Sequence, residues 1–244
     1  MQNAKISLVI PAYNEAAIIE NTIKTALSFL EGRFTEFELI ISDDGSTDNT
    51  RAVAESIHNE HLRCIGHMPN RGKGSAVREG ILAARGDIIV YTDADLAYGI
   101  EAVGGLADKL ADEDADMAIG SRKLHPQGYE DYPVIRLAAS RLFTFLTGLL
   151  AGFHYDTQCG LKAFSAKAAK GIFTLCETDG FAFDFEVMLL AKGLGLSVAQ
   201  LPVKIINHRA SKVSVFSDSI KMFCDIVRIR SAVKRRLRRE SGSD

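Results

Sequence analysis

Residues 6–48 read ISLVIPAYNEAAIIENTIKTALSFLEGRFTEFELIISDDGSTD, and this stretch decides the fold. Two short β-rich runs, Ile6–Ile10 and Phe37–Ser42, flank a segment in which Ile18, Ile19, Ile23, Ala26, Leu27 and Leu30 keep the helical period. A helix linking two apolar strands is a crossover connection, so the strands lie parallel. Both strands run into polar turns, Pro11-Ala12-Tyr13-Asn14-Glu15 after the first and Asp43-Asp44-Gly45-Ser46-Thr47-Asp48 after the second. In open α/β sheets ligands bind outside the carboxyl ends of the strands, which makes these turns the first place to look for chemistry.

The alternation continues outward. Strands are expected near Leu62–Gly66, Asp87–Thr92 and Asp116–Gly120, with helices near Glu15–Leu30, Thr47–Asn59, Gly74–Arg85 and Glu101–Leu110. The fold class is α/β, a mainly parallel sheet flanked by helices. The second half is less regular, with helices expected near Val134–Gly152, Ser165–Leu175 and Phe183–Lys192. Between them lie an irregular HYDTQCG stretch and a strand near Val198–Lys204, and a final helix starts about Phe216. We read one α/β domain over 1–215, its first half running to about 122 and its second over about 123–215. Residues 216–244 form a C-terminal helix and tail.

Composition sets outer limits. The chain has 244 residues, 47% hydrophobic and 25% charged, long enough for a large core without disulfides or structural metals. It is too polar overall to be a multi-span membrane protein, and the longest uncharged apolar run, Leu142–Phe153, is shorter than the roughly 20 residues of a spanning helix. The four cysteines form no CxxC, and the first strand begins without a leader-like segment, so a reducing, cytosolic setting without a signal peptide is expected. The net charge of −2 conceals an asymmetry: Arg228–Arg239 holds seven basic residues and no acidic one, leaving −9 on the other 232. In that segment Ile226, Ile229, Val233 and Leu237 fall on one stripe with the arginines off it, the pattern of a helix for anionic headgroups. Nucleic acid is the rival partner for a basic run, and it is discounted because the acidic body repels phosphate polymers.

The strongest chemical signal is Asp93-Ala94-Asp95 after the apolar Ile88–Tyr91. A cap needs one carboxylate; two carboxylates on an exposed turn suit Mg²⁺ or Mn²⁺ shared with a diphosphate. Lys73, in Arg71-Gly72-Lys73-Gly74, stands at a helix start, either a plain one or one whose free backbone N–H groups attract anions.

Four segments in order, IPAYNE, SDDGSTDNT, NRGKGSAVREG and TDADLA, resemble the nucleotide-binding half of family 2 glycosyltransferases of the GT-A fold. Gly120-Ser121-Arg122, DTQCGLKAF (156–164), FAFDFEVML (181–189) and Arg209-x-x-Ser-Lys212 are similar to the dolichyl- and polyprenyl-phosphate glycosyltransferases, the glucosyl branch above all. The resemblance spans about 5–225 and implies that 1–215 is a glycosyltransferase domain with a nucleotide-binding half of about 5–122 and an acceptor half of about 123–215. It implies an inverting, metal-dependent transfer of a hexose, glucose foremost, from a UDP-sugar to polyprenyl or dolichyl phosphate on the cytosolic face of a membrane. Pro11, Tyr13, Glu15 and Asp43 or Asp44 would line the nucleoside pocket. Asp93 and Asp95 would hold the metal, with Ala94 and Lys73 beside the donor. Arg122, Arg209 and Lys212, with Arg136 or Arg141, would bind the acceptor phosphate. Asp156 would serve as a base or as a positioning residue. Asp184 and Glu186 are expected to orient basic neighbours.

Two departures from the family pattern matter. Ala97 stands where the mannosyl branch has a metal-binding Gln, which disfavours GDP-mannose, and the glucosyl branch's N-terminal anchor is not seen. The rivals are a mannosyltransferase, transfer to a saccharide hydroxyl, and a non-enzymatic nucleotide-sugar or lipid-phosphate binding module. The absence of Trp disfavours processive polysaccharide synthases.

Overall fold

A computed structural model of the chain describes residues 4–128, 148, 152–153, 155–207 and 217–240, with side chains in the last helix from 226 to 239. The strands are β1 (Ile6–Ala12), β2 (Phe37–Asp43), β3 (Leu62–Gly66), β4 (Ile88–Thr92), β5 (Met117–Ser121), β6 (Leu161–Ser165) and β7 (Val198–Pro202). The helices are α1 (Ile19–Arg33), α2 (Thr50–Ser56), α3 (Lys73–Ala83), α4 (Glu101–Asp112), α5 (Ala166–Leu175), α6 (Phe183–Gly193) and α7 (Ser217–Glu240).

The strands form one sheet in the order β3-β2-β1-β4-β6-β5-β7. All neighbours are parallel except β6, which runs antiparallel to both β4 and β5. Sequence reading missed β6, because Lys162, its second residue, breaks the apolar pattern. A strand from the second half thereby completes the sheet of the first, with β6 inserted between β4 and β5.

Alternate residues of the central strands feed two cores. Leu8, Ile10, Leu39, Ile41, Val90 and Ala163 pack with α1 and α4 on one face. Val9, Ile40, Ile89, Tyr91, Met117 and Phe164 pack with α3, α5, α6 and α7 on the other. Burial on both faces explains why these strands read as continuous apolar runs.

The connections reverse at β1. From β1 the chain winds through α1 to β2 and through α2 to β3, then α3 carries it back to β4 on the opposite side of β1. The carboxyl ends of β1 and β4 thus flank the crevice that a change of winding direction opens.

The last helix, α7, turns its apolar side inward. Its stripe Ile226, Ile229 and Val233 is buried in the second core, with Leu237 packed alongside. This stripe faces protein and not a bilayer. Leu237 closes against Gly193, where no Cβ would fit beside its side chain. Among the described residues no helix is long and apolar enough to cross a membrane.

Candidate active site

The turn after β4 carries Asp93, Ala94 and Asp95 into the crevice. It is held from below by α1, where the Thr22 hydroxyl donates to the Ala94 carbonyl at 2.7 Å in a buried contact. Asp95 Oδ1 accepts from the Ala97 amide at 3.1 Å. From the other side, Ile206 N donates to the Ala97 carbonyl at 2.8 Å and Asn207 Nδ2 to the Leu96 carbonyl at 2.9 Å. The chain leaving β7 is therefore laid across the acidic turn.

Lys73, the first residue of α3, places its ammonium 2.5 Å from Asp93 Oδ1. Burial works against its charge, but Asp93, Asp184 and Asp95 together hold it above the ordinary lysine value. Asp95 is pushed above the usual carboxylate range by burial first and then by Asp93, with a smaller push from Glu15. The turn is thus a site of stored carboxylate repulsion that one lysine only partly relieves. Two hard oxygen donors fit a divalent cation that brings its remaining ligands with it, as one bound to a diphosphate does. Among the described residues no group of three His, Cys, Asp or Glu could hold a metal alone.

The helix start is not a free anion site. Gly74 N and Ser75 N donate to the Asp179 carbonyl at 2.7 and 3.3 Å. Arg71 N and Gly72 N donate to the Asp44 carboxylate at 3.0–3.1 Å. These amides serve the fold, so the attraction for an anion rests on the Lys73 side chain. The same bonds separate Asp43 from Asp44. Asp44 also accepts from Asn70 Nδ2 at 2.7 Å and lies 3.1 Å from His67 Nε2, so its charge organises the 67–72 loop. Among the described residues the Asp43 carboxylate, at the end of β2, accepts only the long Ser46 amide contacts of 3.3–3.4 Å. Of the two, Asp43 retains the capacity to receive a base N–H.

The loops after β1 and β2 are knitted together: Asn14 Oδ1 accepts from Thr47 N at 2.8 Å, and Glu15 N donates to Thr50 Oγ1 at 2.7 Å. Asn14 takes a left-handed φ of 53° to do so. Pro11 is buried in β1 and Tyr13 is exposed beside it.

Arg122 follows β5 and meets Asp156 in a fork: Nε to Oδ2 at 2.8 Å and Nη2 to Oδ1 at 2.7 Å, with the Arg122 amide also on Oδ2 at 3.0 Å. Burial pushes the Asp156 carboxyl up, but Arg122 and then Lys162 hold it below the ordinary range. A carboxylate so stabilised is a poor proton acceptor. Arg136, Arg141, Arg209 and Lys212 lie outside the described residues, as does most of the apolar run before Phe153. Phe153 itself packs on Tyr155 and Phe185 at centroid distances of 5.5 and 6.3 Å.

Sequence reasoning missed Lys162 and Tyr91, which face each other across β4 and β6. Lys162 is fully buried and donates to Asp184, to the Thr157 and Cys159 carbonyls at 3.1 and 2.7 Å, and to Tyr91 Oη at 3.0 Å. One ammonium thereby fixes the loop 156–160 from beneath. That loop lies against the acidic turn, since Gly160 abuts the Asp93 carboxylate so closely that no Cβ would fit. The only sequence signal was a lysine directly after DTQCGL in an otherwise apolar run. Asp184 and Glu186 do orient basic neighbours, Lys162 and Arg236 respectively.

An acidic turn at the reversal of a doubly wound sheet, opposed by a lysine and walled by a clamped loop, is the arrangement of a GT-A fold. The model of the glycosyl transferase family 2 matches residues 7–173. Dolichyl-phosphate beta-glucosyltransferases of Dictyostelium discoideum and Saccharomyces cerevisiae are 34% and 36% identical, the alignments covering 94% and 93% of this chain and 75% and 74% of theirs. Among solved structures, glucosyl-3-phosphoglycerate synthase from Mycobacterium tuberculosis in complex with UDP superposes with a TM-score of 0.71 at 24% identity, covering 94% of this chain and 81% of that one. The chain belongs to glycosyl transferase family 2, and it is a glycosyltransferase.

Proposed function

We propose that the enzyme transfers glucose from UDP-glucose to a dolichyl or polyprenyl phosphate, with inversion, at the cytosolic face of a membrane. The observation that carries this reading is Asp93 and Asp95 at the sheet's switch point with Lys73 against them. Relatives at 34% and 36% identity named for dolichyl phosphate and glucose support the acceptor and the sugar.

Asp43, Tyr13 and Glu15 receive the nucleoside, and Asp93 and Asp95 would hold Mg²⁺ or Mn²⁺ beside the diphosphate. A cation bound there would supply charge neutralisation to the departing diphosphate. Lys73, whose ammonium stands at the same turn, offers a second positive charge to that group. An oxygen of the acceptor phosphate attacks the anomeric carbon in line, and the C1–O bond electrons leave with UDP. The acceptor side draws on Arg122, Arg136, Arg141, Arg209 and Lys212.

The Arg122–Asp156 fork favours a phosphate over a hydroxyl as acceptor. A hydroxyl requires a base, and Asp156 is held in its ionised form by a bidentate arginine. A phosphate monoester, with a second pKa near 6, is ionised already at neutral pH. Asp156→Asn is therefore expected to lower kcat about tenfold by loosening Arg122, with UDP affinity unchanged. Loss of a general base costs roughly 10²–10⁴-fold; a drop above a thousandfold with intact UDP binding would assign Asp156 that role and a hydroxyl as acceptor.

The membrane contact falls to the outer face of α7, where Arg228, Arg230, Lys234, Arg235, Arg238 and Arg239 are exposed. At about 1 kcal/mol per basic residue near an anionic surface, reversing three of them is expected to weaken binding at least a hundredfold. Co-sedimentation of the Arg228→Glu, Arg230→Glu, Lys234→Glu variant with phosphatidylserine vesicles measures this. Binding equal to wild type would refute the surface role. Deleting the helix would not be informative, because its inner stripe belongs to the core.

A further inference from the structure

The terminal helix is joined to the donor site by an unbroken series of contacts. Arg236 of α7 donates to Glu186 Oε1 and to the Leu175 carbonyl. The fully buried Glu186 uses its other oxygen to accept from Thr178 N at 2.7 Å, Glu177 N at 3.2 Å and the Cys176 thiol at 3.3 Å. One carboxylate thus gathers three consecutive residues of the turn that leaves α5.

The next residue, Asp179, offers its carbonyl to the amides of Gly74 and Ser75 in the first turn of α3, and its side chain grips Arg78 at 2.6 Å. The approach leaves no slack: a Cβ on Gly74 would come within 2.6 Å of Phe183 Cβ. Lys73 is the residue before Gly74, and its ammonium faces Asp93. From Arg236 to the acidic turn, every step is a hydrogen bond, an ion pair or a peptide bond.

We infer that Arg236 is a positioning residue for the donor diphosphate: through Glu186 and the 176–179 turn it sets the height of α3's first turn, and with it the Lys73 ammonium. This rests on the reading of Lys73, Asp93 and Asp95 as the donor site. Arg236 touches no substrate. A guanidinium suits the task because its fork bonds a carboxylate and a carbonyl together, which an ammonium does less rigidly.

The test compares Arg236→Met and Arg236→Lys with Leu237→Ala, a neighbour on the same helix that loosens packing without entering the series. Calorimetry with UDP and Mn²⁺, the KM for each substrate, kcat and Tm are measured on the full chain. Arg236→Met is expected to raise the UDP Kd and the donor KM about tenfold, with acceptor KM unchanged and kcat within threefold. Arg236→Lys should fall between it and wild type, and Leu237→Ala should lower Tm while leaving the donor KM in place.

Equal donor KM in all four proteins would overturn the inference and leave Arg236 a packing residue. Should Arg236→Met fail to fold, the contrast between Arg236→Lys and Leu237→Ala decides in the same way. Wild-type protein that binds no UDP with either Mn²⁺ or Mg²⁺ would overturn the donor-site reading itself, an outcome distinct from normal binding that Arg236 does not affect.

Discussion

Asp95→Asn is expected to lower turnover at least a thousandfold while raising the melting temperature of the ligand-free protein. The first effect follows from the role of the turn. A thousandfold is about 4 kcal/mol of transition-state stabilisation, within what a bound cation supplies to a leaving diphosphate. The second effect follows from repulsion. Asp95 is half-buried beside Asp93, and burial together with that neighbour disfavours its charge. Asn removes the charge, so the folded state is relieved of a strain that function requires; a rise of roughly 1–2 °C is the expected size. A variant that loses activity and also melts well below wild type would show that Asp95 stabilises the fold instead.

Lys162→Met should have the largest effect on stability. It leaves the Asp184 carboxylate buried with Tyr91 as its remaining partner and strips two carbonyls of their donor. Breaking a buried ion pair from one side costs about 3–5 kcal/mol, or roughly 10 °C in Tm for a chain of this length. Adding Asp184→Leu removes the stranded charge and is expected to restore most of the Tm, since apolar replacement of both partners is often close to neutral. Turnover should stay low in the double variant, because the Thr157 and Cys159 carbonyls still lack the ammonium that holds the 156–160 loop against Asp93. Recovery of both together would show that the loop needs no such anchor.

Much of the fold was legible because the local signals agreed with the tertiary result. The β1–α1–β2 unit could be read from apolar period alone, and observed strand bounds differ from those expected by one or two residues. The antiparallel β6 was hidden because its second residue, Lys162, is a buried cation whose partners, Asp184 and Tyr91, lie 22 and 71 residues away in sequence. The same holds at the site. Asp93 and Asp95 announced themselves by spacing, but sequence could not divide Asp43 from Asp44, because what distinguishes them is which one the 70–72 loop folds onto. The amphipathic pattern of α7 was read correctly as a helix. What covers its apolar side was not legible, because periodicity shows that a stripe will be covered without showing by what. For the α3 amides sequence left an anion site and a plain helix start equally open, since the carbonyl that takes those of Gly74 and Ser75, that of Asp179, is distant in sequence.

The central claim is a cation-dependent transfer of glucose to a phosphate. Its most direct measurement is the product formed when the full chain is incubated with UDP-glucose, a polyprenyl phosphate and Mn²⁺ or Mg²⁺. The account predicts UDP and glucosyl-phosphoryl-polyprenol in equal amounts, abolished by chelator, restored by added metal, and absent when the lipid bears a hydroxyl in place of the phosphate. Equal turnover in chelator, or glucose appearing on the hydroxyl lipid and not on the phosphate, would contradict it.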